Sequence, residues 1–241
     1  MEIQISVAKT NKFGSIESGD SLEIIERPGG GISIVMCDGQ ISGSKAKMVS
    51  GMVVRKVIGL IADGIRDGAA ARAASDYLFS EKKGKYPVYL NILSADLQTD
   101  TLVLTRNNPT PIFVAQEGLV KCLSGLTQPI GTTRNIRPSV SEISLIIGTT
   151  IVMYTDGLSN AGTKGSGLGL DICTALEAVL EEQQPSSQLI ADSLLSQAIQ
   201  LDHGRAEDDM SVVCLRVLPS SIDQIRRLTV RFPIPVVQDI D

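Results

Sequence analysis

The sequence predicts an α+β fold, and three observations carry that prediction. Short apolar runs of strand character are joined by tight turns, which makes antiparallel sheet because parallel pairing needs long crossovers. Two blocks, about residues 44–82 and 170–201, change to the period of a helix, and each divides into two helices. Strands lie before, between and after these blocks, so helix pairs must pack on sheet built largely from sequence neighbours.

Residues 2–8 alternate polar and apolar side chains, the period of a half-buried strand. A connection over 11–20 leads to SLEIIERP, a strand stopped by Pro28 and the turn Gly29, Gly30, Gly31; Ile32 to Cys37 returns as its partner. The three glycines are not a phosphate loop, because no Gly-Lys-Ser/Thr follows and a strand comes next. From Ser44, residues Ala46, Val49, Met52, Val53, Val57, Leu60 and Ile61 share one helical face, with Lys45, Lys47, Arg55 and Lys56 as a solvated face. Gly64 ends this helix, and Asp67 is the predicted N-cap of an alanine-rich second one that Gly84 closes.

Residues 88–97 and 101–107 read as a hairpin, as do IFVAQ and LVKCL across Glu117 and Gly118. A loop at 126–131 follows, then one or two strands over 141–157 with a turn at Gly148. Residues 160–169, with four glycines, suggest a mobile flap beside the site. Helices are predicted over about 170–183 and 186–201, then a last strand after Asp208 and Asp209. Residues 1–218 form the predicted domain, and 219–241 a C-terminal extension read as an edge strand or a packing segment.

Whole-chain properties narrow the function. With 241 residues and no low-complexity linker, one domain is predicted. The net charge of −5, with no basic run longer than two residues, argues against nucleic acid as a partner. The cysteines Cys37, Cys122, Cys173 and Cys214 form no C-x-x-C pair and read as buried small hydrophobes in a reducing compartment. No signal peptide or membrane span is read from the sequence, so a cytoplasmic location without a membrane partner is expected.

The candidate chemistry lies in carboxylates at predicted strand ends. Apolar runs terminate in Asp-Gly at Asp38 and again at Asp156, Asp20 precedes a strand, and Asp208 and Asp209 precede the last one. A single Asp-Gly after a strand is usually a plain turn. Four such sites, if their strand ends converge, make a repelling cluster that oxygen-bound divalent cations would neutralise.

The order of elements, with SGD at 18–20, CDGQISG at 37–43, RNNPTP at 106–111, QPIG at 128–131, YTDG at 154–157 and EDDMSVV at 207–213, resembles the metal-dependent protein phosphatase family. This is the PPM or type 2C family, and the likeness is to its bacterial branch typified by SpoIIE, RsbU and RsbX. The resemblance implies a four-layer αββα sandwich of two antiparallel sheets and two Mn²⁺ or Mg²⁺ ions at one edge. By motif, Asp38 would bridge the metals, Asp20 and the Gly39 carbonyl would complete one site, and Asp156 and Asp208 the other. Asp209 would support them from the second shell or through water. Asp38 and Asp156 are the residues assigned to catalysis, in which a water shared by the metals attacks the phosphate in line. The implied activity is hydrolysis of phosphoserine or phosphothreonine on a STAS-type, anti-anti-sigma or stressosome partner. No sensor module precedes residue 18, so the organisation is closest to the stand-alone RsbX kind. In this branch the first helix pair, about 44–82, can shift and complete the metal site.

The histidine that follows Asp-Gly in eukaryotic members is Gln40 here, which cannot act as an acid, so protonation of the leaving group falls to metal-bound water. His203 reads as a surface residue, and no arginine is assigned to grip the phosphate. A non-catalytic phosphoprotein-binding scaffold and a two-metal hydrolase of other phosphoesters remain the alternatives, with no oligomeric state specified.

Overall fold

The computed structural model describes residues 1–41, 43–181, 185–220, 223 and 225–233. Its strands form two fully antiparallel sheets. In the first, β1 (Glu2–Thr10) pairs with β10 (Met210–Leu218), followed by β9 (Thr150–Tyr154), β6 (Ile112–Gln116) and β7 (Leu119–Leu123). In the second, β2 (Asp20–Glu26), β3 (Gly31–Gly39), β4 (Val88–Asp96), β5 (Thr101–Asn107) and β8 (Ser139–Ser144) are neighbours in that order.

Strand sequences that are apolar without alternation are those covered on both faces. Ile34, Met36, Leu93 and Leu104 of the second sheet meet Ile151, Met153, Val213 and Leu215 of the first, which makes the middle of the molecule. The next residues along the same strands, Val35, Cys37, Leu90 and Ile92, turn outward. They are covered by Val49, Val53, Val57 and Ile61 of α1 (Ser44–Ala62) and Ala70, Ala74 and Leu78 of α2 (Asp67–Lys82). On the other side, Val152, Tyr154, Val212 and Cys214 are covered by α5 (Ile172–Leu180) and α6 (Ser187–Leu201). The layers are therefore helix, sheet, sheet, helix, as the family resemblance implies.

Several details differ from expectation. The N-cap of α2 is Arg66, and Asp67 lies inside the first turn, where its buried carboxylate accepts from Arg27 at 2.7 Å. There it meets both the positive helix end and a guanidinium, a better partner than its own backbone. The glycine-rich stretch is partly helical: α3 (Asp156–Asn160) and the one-turn α4 (Thr163–Ser166) form, the latter flanked by Gly162 and Gly167 at positive φ. The predicted helix boundary near 183 falls outside the described residues, and α5 begins at Ile172 with Asp171 as its N-cap. Cys37 and Cys214 are buried, but Cys122 is exposed on the outer strand β7. Residues 225–233 form neither the edge strand nor a packed segment: Leu228, Val230 and Phe232 are exposed, and Arg226 reaches Glu26 at 2.7 Å. The rest of the predicted extension, 234–241, lies outside the described residues.

Candidate active site

Antiparallel pairing places the first residue of β2 opposite the end of β3, so Asp20 and Asp38 are cross-strand partners, and both are buried. Asp156 opens α3 directly after β9, and Asp208 and Asp209 enter β10 beside it, where Thr155 N–H bonds the Ser211 carbonyl at 3.0 Å. The two sheets are stitched together at this edge. Ser211 Oγ and Thr155 Oγ1, both from the first sheet, donate to Asp20 Oδ2 of the second at 2.6 and 3.0 Å. Asp209 spans the same seam, accepting from Gly19 N at 2.7 Å and Lys12 N at 2.9 Å.

Glycine is required here by close approach. A Cβ on Gly39 would lie 2.6 Å from the Ala46 carbonyl of α1, and one on Gly157 would lie 2.1 Å from the Asp209 carbonyl. The Asp-Gly pairs thus let α1 and the 208–209 turn press against the backbone next to each carboxylate.

Burial and mutual repulsion set the charge state. Asp38 is pushed up to about 9, first by burial and then by Asp20 and Asp156; Asp20 rises to about 6, mainly by burial, opposed by its two hydroxyl donors. Asp156 is also raised, again mainly by burial, with Asp38 and Asp208 beside it. Carboxylates gathered this closely favour a proton or a cation among them. Among the described residues no three acidic, histidine or cysteine side chains close into a finished metal cage. Asp208 is exposed, and its Oδ1 accepts from Asp209 N at 2.9 Å. The donors are nonetheless all hard oxygens in a cluster whose accumulated negative charge is disfavoured, which suits Mg²⁺ or Mn²⁺.

The sequence reading missed what surrounds the carboxylates. Gln40 Nε2 donates to Asp38 Oδ2 at 2.7 Å, so this glutamine orients the central carboxylate. Lys9 Nζ and Lys47 Nζ both donate to the Asp20 carbonyl, at 2.7 and 3.0 Å. The Lys9 pKa is lowered, chiefly by desolvation, although the residue as a whole is exposed. Ser50 of α1 donates to the Gly19 carbonyl, fastening the helix to the same turn. Thr155 and Ser211 were legible only as strand residues. His203 is exposed in a turn at φ 55°, with Gly165 packed beside its ring.

This two-sheet sandwich with carboxylates at one edge is the fold of the PP2C-type phosphatases. The chain aligns at a TM-score of 0.78 and 23% identity with the PP2C phosphatase domain and regulatory fragment of SpoIIE from Bacillus subtilis, over 91% of this chain and 65% of that one. RsbX in complex with magnesium aligns at 0.68 and 15% identity, covering 89% and 95%. The family model for Stage II sporulation protein E matches residues 28–218, and the chain belongs to that family. Stage II sporulation protein E of Bacillus subtilis (strain 168) is 24% identical over 215 residues, or 89% of this chain. The chain spans about a quarter of that relative's length, 26%. The family match includes Asp38, Asp156, Asp208 and Asp209 and begins after Asp20.

Proposed function

We propose that the chain is a metal-dependent protein-serine/threonine phosphatase whose working unit is residues 1–218, with 219–241 as an extension. The observation that carries this reading is the meeting of Asp20, Asp38 and Asp156, from three strand ends in two sheets, in one buried charge system. Family membership and the magnesium complex of RsbX support it. Asp38 would lie between two divalent ions, with Asp20 and the Gly39 carbonyl on one side and Asp156 and Asp208 on the other. Such ions lower the pKa of water and neutralise charge on a phosphate monoester. The chain's part is positioning. Gln40 fixes the rotamer of Asp38, Thr155 and Ser211 hold Asp20 by one oxygen and leave the other available, and Asp209 ties the 12–19 segment to the site.

The substrate in this reading is phosphoserine or phosphothreonine on a STAS-type protein. The test incubates the protein and Mn²⁺ with a phosphorylated STAS-domain protein and, separately, p-nitrophenyl phosphate, then repeats both with Asp38→Ala and Asp156→Asn. Manganese-dependent phosphate release from both substrates, lost in both variants, is the expected result. Release from the small ester alone would overturn the protein substrate, and tight phosphoprotein binding without release would overturn catalysis.

A further inference from the structure

Beside the carboxylate edge lies a cleft of about 440 Å³ whose lining includes Leu126, Gln128, Arg134, Asn135, Ile136 and Arg137. Its walls are the two arms of the connection between β7 and β8, and they are held in place. Asn107 Nδ2 donates to the Gln128 carbonyl at 3.1 Å and the Arg137 carbonyl at 3.5 Å, joining the arms. Thr127 Oγ1 donates to the Asn108 carbonyl, Asp76 Oδ1 accepts from Asn135 N at 3.0 Å, and Ile136 is buried as a plug.

The charge of this cleft runs against that of the molecule. The chain carries a net −5, yet no acidic side chain lines the cleft and two exposed guanidiniums do. The Arg134 guanidinium stacks over Phe79, which holds it without neutralising it. Gly84 packs against the Thr132 carbonyl, which brings Lys83 and Lys85, also exposed, to the same loop. Among the described residues none of these four cations forms an ion pair. Leu126 adds a fully exposed apolar side chain at the rim.

The cleft and the carboxylates share one end of the second sheet. Ile130 exchanges both backbone hydrogen bonds with Val88, and Val88 is the cross-strand partner of Gly39. Two strand spacings put this loop about 10 Å from Gly39. An extended peptide covers that gap in about three residues.

We propose that this cleft is a docking site for an acidic segment of the phosphoprotein substrate, lying about three to five residues from the phosphorylated side chain. The inference rests on the phosphatase reading and adds what that reading lacks, a source of attraction. A substrate rich in negative charge is repelled by the net −5 of the chain, and the cations of this cleft draw its flank in and set its register.

The test compares, with Mn²⁺ present, a phosphoserine peptide carrying Asp and Glu three to five residues on either side with one carrying Asn and Gln there. Variants are Arg134→Glu/Arg137→Glu and the milder Arg134→Gln/Arg137→Gln, with p-nitrophenyl phosphate as the control that bypasses docking. For the wild-type chain kcat/KM should favour the acidic peptide by about tenfold at low salt, mostly through KM, and the preference should shrink as salt rises. Both variants should lose the preference and keep small-ester turnover. Equal use of the two peptides by the wild-type chain, or a preference that survives charge reversal, overturns the docking site. Absence of turnover on every substrate would instead overturn the phosphatase reading.

Discussion

Burial and two neighbouring carboxylates disfavour the charged form of Asp38, and the consequence can be measured in metal-free protein. Its folded pKa, about 9, lies above its ordinary value of 3.8, so the folded state binds more protons than the unfolded chain over that interval. Stability is therefore fully present below about pH 4 for this group and is lost as pH rises toward 9, with Asp20 adding a similar loss up to about 6. Urea unfolding of the metal-free chain across this range should show falling stability, and Asp38→Asn should flatten the curve; a rising curve would contradict the assignment. Asp209 makes a separate prediction. Its two oxygens accept from Gly19 and Lys12, so Asp209→Ala strands two backbone donors and should cost about 1–3 kcal/mol in chemical denaturation. Asp209→Asn, which keeps one acceptor, should recover part of that loss.

At the scale of the element, the Asp-Gly pairs show what a sequence can and cannot disclose. The aspartates were legible because an apolar run that stops at a carboxylate is a strong signal, and the register of β2 against β3 then places Asp20 opposite Asp38. The glycines looked like turn residues, yet Gly39 and Gly157 serve to let Ala46 and Asp209 approach. That reason is tertiary and leaves no local signature. Gly157→Ala should force the 208–209 turn away from α3 and cost about 1–3 kcal/mol, with metal affinity falling more than global stability accounts for. A thermal scan beside Mn²⁺ calorimetry separates the two effects. The pairing of Arg27 with Asp67 was hidden for a similar reason, since forty residues separate them and Asp67 also suits an N-cap by sequence. Asp67→Ala leaves a largely buried guanidinium with only Asp96, at 4.0 Å, as a carboxylate partner and should destabilise by about 1–3 kcal/mol, far from the site and without changing substrate preference.

For the molecule as a whole, antiparallel sheet and two helix pairs were readable from element order because short joins fix antiparallel neighbours and each helix pair needs a sheet face, whereas the four-layer stacking came from the family resemblance. What sequence neighbours could not give is the stitching between sheets. Thr155 and Ser211 reach Asp20 across 135 and 191 residues, and polar side chains of that kind look like ordinary strand positions until the sheets are stacked. The exposed tail at 225–233 was ambiguous for the opposite reason: its alternation is that of a strand, but its described residues pair with no strand. No helix among the described residues is long and apolar enough to cross a membrane. Phosphate hydrolysis of this kind needs cations gathered where the two sheets meet, and crystals grown with Mn²⁺ and measured at the manganese absorption edge test that directly. Two anomalous peaks beside Asp38, one toward Asp20 and Gly39 and one toward Asp156 and Asp208, are the predicted result; peaks elsewhere, or none at this edge with Mn²⁺ in excess, would contradict it.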